Sequence, residues 1–215
     1  MGFQLVIREL IRQRAPLDAV FAYSLWNEQV AFDHLPFTLS SGRVTTANGQ
    51  TYDMASYGER RRMIDDALVH YIDQVRAAIV EVDPSALVTI GFWTSPDVAA
   101  GAVIARSSAD FVDVHPYPTG SVTFGQDIQN YGIEGPVHKP IAIGEMGAFK
   151  RDFGTDAEAA DALVAWQRMS CAYGIDGWLL WTWDSIEQPD LWNARSGGGV
   201  IERALAPNNR PDPCA

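Results

Sequence analysis

Lys139-Pro140-Ile141-Ala142-Ile143-Gly144-Glu145-Met146-Gly147 reads as a short apolar run, opened by a proline, that delivers a glutamate at its far end. A run of this length is too short for a helix and fits a strand buried on both faces. A second stretch has the same design. Ala19 to Trp26 is an apolar and aromatic run bounded by Pro16, and Asn27 and Glu28 follow it directly. The two glutamates are far apart in sequence, so only a fold that returns successive strand ends to one rim can bring them together. The (β/α) barrel does that.

Working outward, the rest of the chain alternates in the same way. Phe3, Val6, Ile7, Leu10 and Ile11 recur at helical spacing before Pro16, and Ile64, Leu68, Tyr71, Ile72, Val75 and Ile79 trace one face of a long helix from about Tyr57 to Pro84. Ala86 to Trp93 is a further buried strand, and Ser95-Pro96-Asp97 supplies a helix start with proline at the first helical position. Asp110 to Val114 is the next strand and runs into His115-Pro116-Tyr117-Pro118, where two prolines force the chain out of the sheet. Ala157 to Tyr173 is amphipathic, Gly174 is placed to end it, and Gly177 to Trp183 is the last strand. Between Phe32 and Tyr57 lies a long polar loop in which Asn48-Gly49 signals a hairpin. The tail from Asp184 is expected to be loop, flexible at Gly197-Gly198-Gly199, with a short helix from Val200 to Leu205.

Strands alternating with helices at this spacing predict parallel βαβ units in an α/β protein. The pattern yields five strands, whereas a closed (β/α)8 TIM barrel needs eight and typically about 250 residues. The expected fold is therefore a partial barrel, with about three βα units missing before Phe3. At 215 residues and 47% hydrophobic composition the chain is long enough for one sizeable core, so residues 1–215 read as a single, partial domain.

A formal charge of −11 argues against a nucleic-acid partner and against docking on an anionic membrane, and is compatible with a neutral substrate. No apolar run approaches a bilayer span, and Met1-Gly2-Phe3-Gln4 lacks the features of a signal peptide. Cys171 and Cys214 form no metal-ligand spacing and at most one disulfide. No serine sits in a nucleophile elbow and no glycine-rich phosphate loop follows a strand, so nothing supports hydride or phosphoryl transfer or a cofactor for either.

The residues at strand exits are Asn27 and Glu28, then Trp93, then His115 and Tyr117, then Glu145, then Trp181 and Trp183. In βα barrels active residues gather at those ends. Two carboxylates so placed suit glycoside hydrolysis, in which one acid protonates the leaving oxygen and a second carboxylate attacks the sugar carbon or directs water at it. The tryptophans could pack flat against sugar rings, or simply fill the core.

In this ordered set the chain resembles the clan A glycoside hydrolases, most closely family 5, the cellulase-like group. The resemblance rests on Trp26-Asn27-Glu28 as the motif after the fourth barrel strand, His115-x-Tyr117 after the sixth, Gly144-Glu145 after the seventh and Trp181 after the eighth. It covers nearly the whole chain and leaves the family's first three strands, with the arginine and histidine they contribute, without a counterpart. It implies a retaining double displacement on a β-linked glucan or mannan, with Glu28 as acid/base and Glu145 as nucleophile, their carboxyl groups roughly 5 Å apart. It further implies that Tyr117 holds Glu145, that His115 polarises the same region, that Asn27 bonds the sugar 2-hydroxyl and that Trp181 floors the cleavage subsite. It suggests secretion as well.

Other readings stand beside this one. His115 could satisfy a buried carbonyl, Trp183 rather than Trp181 could face the cleft, and Asp184 could bind sugar or cap a loop. Asp113-x-His115 could be two metal ligands, although no second histidine pair or cysteine cluster supports a metal site. His34, His70 and His138 show no context beyond surface or loop. The chain as a whole could be a non-catalytic carbohydrate-binding scaffold or an inactive barrel fragment, and Glu145 could be a simple general base.

Overall fold

In the computed structural model, residues 2–28, 35–93, 100–119, 121–133, 138–184, 186 and 188–214 are described. They form a mixed α/β fold with parallel strand pairing, in two compact units: Met1–Val112 with Tyr131–Lys139, and Asp113–Asn130 with Pro140–Ala215. Among the described residues no helix is long and apolar enough to cross a membrane.

The first unit opens with α1 (Gly2–Arg12), whose Ile7 is buried while Leu5, Val6 and Ile11 are exposed. A 3₁₀ turn at Leu17–Ala19 then leads to β1 (Tyr23–Ser24). The strand expected from Ala19 is thus shorter and less enclosed than its apolar run implies. The turn takes up its start, Phe21 is exposed, and β1 has one strand neighbour among the described residues. The Asn48-Gly49 signal is met by β2 (Arg43–Thr45) and β3 (Thr51–Asp53), antiparallel, with Thr45 opposite Thr51. Gly49 adopts φ 80°, and the Asn48 carboxamide accepts from the Gln50 N–H at 2.9 Å to close the loop.

α2 (Tyr57–Val80) starts at Ser56, whose hydroxyl accepts the Glu59 N–H, and it buries Met63, Ile64, Leu68, Ile72 and Ile79. β4 (Val88–Thr89) pairs in parallel with β1, and β5 (Gly91–Phe92) follows it. The helix start at Ser95-Pro96-Asp97 lies outside the described residues, and α3 covers Ala100–Arg106. Arg76 grips Asp110 through two hydrogen bonds of 3.1 and 2.9 Å, and the same carboxylate accepts the Val88 N–H, fixing β4 against α2. The Lys139 ammonium donates to the carbonyls of Ile104, Ser107 and Ala109, closing the C-terminal end of α3.

β6 (Val112–Val114), buried throughout, carries the chain into the second unit. There α4 (Phe124–Asn130), absent from the sequence-derived elements although Thr123 and Gln126 cap its start reciprocally, precedes β7 (Ile141–Met146) and β8 (Ala148–Phe149). α5 (Asp156–Ser170) begins with a reciprocal cap: the Thr155 hydroxyl accepts the Glu158 N–H while the Glu158 carboxylate accepts the Thr155 N–H. A 3₁₀ turn at Cys171–Tyr173 extends it, and Gly174, at φ 70°, ends it as expected. β9 (Ile175–Leu180) pairs in parallel with β7, which also neighbours β6. β10 (Leu191–Trp192) pairs antiparallel with β8, and α6 (Ser196–Leu205) closes the chain. Gly197, Gly198 and Gly199 fall within the span of α6 but adopt φ of 55°, 73° and 86°, outside helical values, so the regular helix is confined to the residues that follow them, in keeping with the helix expected from Val200 to Leu205. Cys171 and Cys214 form a disulfide with Cα atoms 5.8 Å apart, which answers a pairing the sequence left open.

Asp127 on α4 is buried, and burial pushes its carboxyl up to about 6. A carboxyl raised in the folded state contributes most below its unfolded pKa of about 3.9, and that contribution is lost as pH rises through about 6. Asp127→Asn is therefore expected to raise the melting temperature by about 5 °C at pH 7.5, on the order of 2 kcal/mol, with little gain at pH 4. Thermal melts at the two pH values check this, and equal shifts at both would contradict it.

Candidate functional site

Each unit presents residues that the sequence singled out. In the first, Leu25 is buried and its N–H donates to Thr89 O at 2.9 Å, while the Gly91 N–H donates to Trp26 O at 3.0 Å. This carries the pairing of β1 past Ser24 and sets Trp26, Asn27 and Glu28 just beyond it. Trp26 and Asn27 are exposed and Glu28 is half-buried. Trp93 follows β5 and is exposed.

In the second unit Glu145 does not follow its strand, as the sequence pattern suggested, but is the last residue but one of β7. The cause is local. Ile143 pairs with Trp178 and Met146 with Leu180, so β7 carries one extra residue at Gly144-Glu145. A bulge there bends the strand and re-aims its side chains, as bulges beside functional sites commonly do. Glu145 is buried, at 9% exposure, and the Tyr117 hydroxyl donates to its Oε2 at 2.8 Å. His115 Nδ1 stands 3.6 Å from the same oxygen. His115 Nε2 stands 3.6 Å from Asp113 Oδ1, and Asp113 and His115 are both buried. These 3.6 Å separations are electrostatic contacts, longer than hydrogen bonds.

Two glycines make this cluster possible. A Cβ on Gly144 would fall 2.7 Å from Asp113 Cγ and overlap its Oδ1, so the seat of the Asp113 carboxylate is the missing side chain of Gly144. A Cβ on Gly147 would meet the Tyr117 ring at 2.8 Å and the Trp181 carbonyl oxygen. Gly144→Ala is expected to cost about 1–3 kcal/mol through overpacking, seen as a lowered denaturant midpoint. An unchanged midpoint would mean that Asp113 can withdraw freely.

Trp181 follows β9, its N–H donating to Met146 O at 3.0 Å and its ring Nε1 donating to Gln188 Oε1 at 2.6 Å. Trp181 is partly exposed and Trp183 is exposed. Tyr117 also packs on Phe149, with ring centroids 5.4 Å apart. Of the sequence-derived residues, then, the second unit brings His115, Tyr117 and Glu145 into one cluster, with the Trp181 backbone beside Tyr117. The sequence reading passed over Asp113 except as a metal ligand. Its signal was Asp113-x-His115 at the end of one strand together with a glycine before Glu145 on the next. Gln188 and Phe149 gave none.

No family model matches the chain. No curated protein matches it either. Solved structures do. A crystal structure of an agarase matches with a TM-score of 0.64 at 13% identity, over 99% of this chain and 38% of its own. A GH5-4 broad specificity endoglucanase from an uncultured bacterium matches with a TM-score of 0.50 at 14% identity, over 94% of this chain and 62% of its own. These likenesses show a shared fold. The chain also spans 51% of an endo-1,4-beta-D-mannanase from Thermotoga petrophila RKU-1, at a TM-score of 0.45 and 16% identity over 66% of this chain. It therefore spans less than two thirds of each of these enzymes.

Proposed function

We propose that the chain is the strand-four-to-eight part of a (β/α)8 barrel and belongs to a retaining O-glycosyl hydrolase of the family 5 type, acting on a β-linked glucan or mannan. Glu145 is the nucleophile and Glu28 the acid/base. The observation that carries this reading is the setting of Glu145: a buried carboxylate near the end of a parallel strand, re-aimed by a bulge and held by the Tyr117 hydroxyl at 2.8 Å. A nucleophile must be ionised and fixed in direction before the sugar arrives, and a hydrogen bond donated to a carboxylate favours both. The fold shared with an agarase and an endoglucanase supports the same reading.

In the first step Glu145 attacks the anomeric carbon while Glu28, protonated, gives its proton to the departing oxygen. In the second, Glu28 takes a proton from water, which displaces Glu145 and restores both groups. In this reading Asn27 bonds the 2-hydroxyl, and Trp26, Trp93, Trp181 and Trp183 stack on sugar rings. The exposure of Trp26, Trp93 and Trp183 also favours a second reading, carbohydrate binding without turnover. Hydrolysis of an activated aryl β-glycoside separates the two, and its absence from the purified chain would overturn the first.

A further inference from the structure

Asp113 sits two residues before His115 on β6, and its Oδ1 is buried without a hydrogen-bond partner. A buried carboxylate oxygen left in that state is costly unless a positive charge compensates it. Beside it stands the His115 ring, with Nε2 3.6 Å from Asp113 Oδ1 and Nδ1 3.6 Å from Glu145 Oε2. Each ring nitrogen therefore faces a carboxylate. A neutral imidazole has one N–H and one bare lone pair, so it would turn the lone pair on one of them, whereas an imidazolium offers a proton to both. Among the described residues of this unit, the titratable groups facing the ring include Asp113 from β6, Glu145 from β7 and, through its bond to Glu145, Tyr117. Gly144 completes the arrangement, since any side chain there would expel the Asp113 carboxylate.

From this geometry we propose that Asp113 is a positioning residue: its carboxylate holds His115 as the imidazolium, with the Nδ1 proton directed at Glu145. Asp113 touches neither substrate nor reacting atom. It acts through His115, whose charge favours the ionised form of Glu145 and, with Tyr117, fixes the orientation of Oε2. The effect on catalysis rests on the nucleophile reading above, while the state of His115 does not.

The test is a two-bond proton–nitrogen NMR spectrum of the full 15N-labelled chain, whose four histidines make assignment tractable. At pH 7.5, where an exposed histidine of pKa about 6.5 is neutral, His115 is expected to carry protons on both nitrogens. In Asp113→Asn, which keeps the side-chain shape, it is expected to become neutral at the same pH. For aryl glycoside hydrolysis the same variant should lower kcat roughly 10-fold or more and leave KM within about twofold. A neutral His115 in the wild-type spectrum overturns the proposal whether or not the variant folds. So does a folded Asp113→Asn chain with an unchanged His115 spectrum or an unchanged kcat. If the wild-type chain hydrolyses no glycoside, the nucleophile reading falls, and the two spectra still decide whether Asp113 holds His115.

Discussion

Glu145→Ala is expected to lower hydrolysis of an activated aryl β-glycoside by roughly 10⁴-fold or more, because the first bond to the anomeric carbon then has no partner. The loss should be chemical and not structural. Glu145 is a single buried side chain at the edge of a strand whose pairing partners remain, so the melting profile should change far less than the rate. The decisive part is rescue. The space vacated by the carboxylate admits a small anion such as azide, which can attack the same carbon in one displacement. Restored turnover giving a glycosyl azide of inverted configuration would mark Glu145 as the nucleophile. Loss of turnover without rescue would leave the nucleophile role unsupported, and rescue with retained configuration would make Glu145 the acid/base instead, since azide would then open a glycosyl-enzyme formed by another group. Unchanged turnover would remove Glu145 from the chemistry altogether. Sugar binding should survive the substitution in either case, so binding alone separates nothing.

The sequence made the elements legible where a single physical signal dominated. α2 and α5 were readable because their apolar faces recur at helical spacing and because Gly174 supplies a positive φ where α5 must stop. The hairpin was readable from Asn48-Gly49, although its loop is longer than the two-residue turn that pair suggests: Thr45 faces Thr51, so five residues intervene. Strand ends were less legible because apolar content does not say how many neighbours a strand has. The run from Ala19 reads as doubly buried, yet Phe21 is exposed and the paired segment is only Tyr23–Ser24. The candidate site was legible in its residue types and not in its geometry. Tyr117 and Glu145 could be singled out from their places at strand ends, but the bulge that re-aims Glu145 depends on the register between β7 and β9. Asp113 depends on the close approach of β6 to a glycine on β7, which one sequence does not display.

Cys214→Ser is expected to lower the melting temperature of the second unit by about 10 °C. The bond to Cys171 closes a span of 43 residues, from the end of α5 through β9, β10 and α6. Loop closure of that length removes unfolded-state entropy worth about 4 kcal/mol at 25 °C, and a chain of this size shifts by about 2–4 °C per kcal/mol. The native tail has a further tie to α5, through Arg210, and bonds of its own. Arg210 donates to Gln167 Oε1 at 2.6 Å and to Pro213 O at 2.7 Å, and the Asp212 carboxylate accepts the Cys214 N–H at 2.9 Å. Without the covalent link the folded tail should stay docked on α5, so the penalty falls on the unfolded side of the equilibrium, where chain freedom increases. Reductant should accordingly lower the wild-type transition to that of Cys214→Ser and leave the variant unmoved. A wild-type transition indifferent to reductant, in a chain whose thiols are shown to be reduced, would mean that the link contributes nothing. A variant that melts lower still in reductant would place the sensitivity elsewhere in the fold.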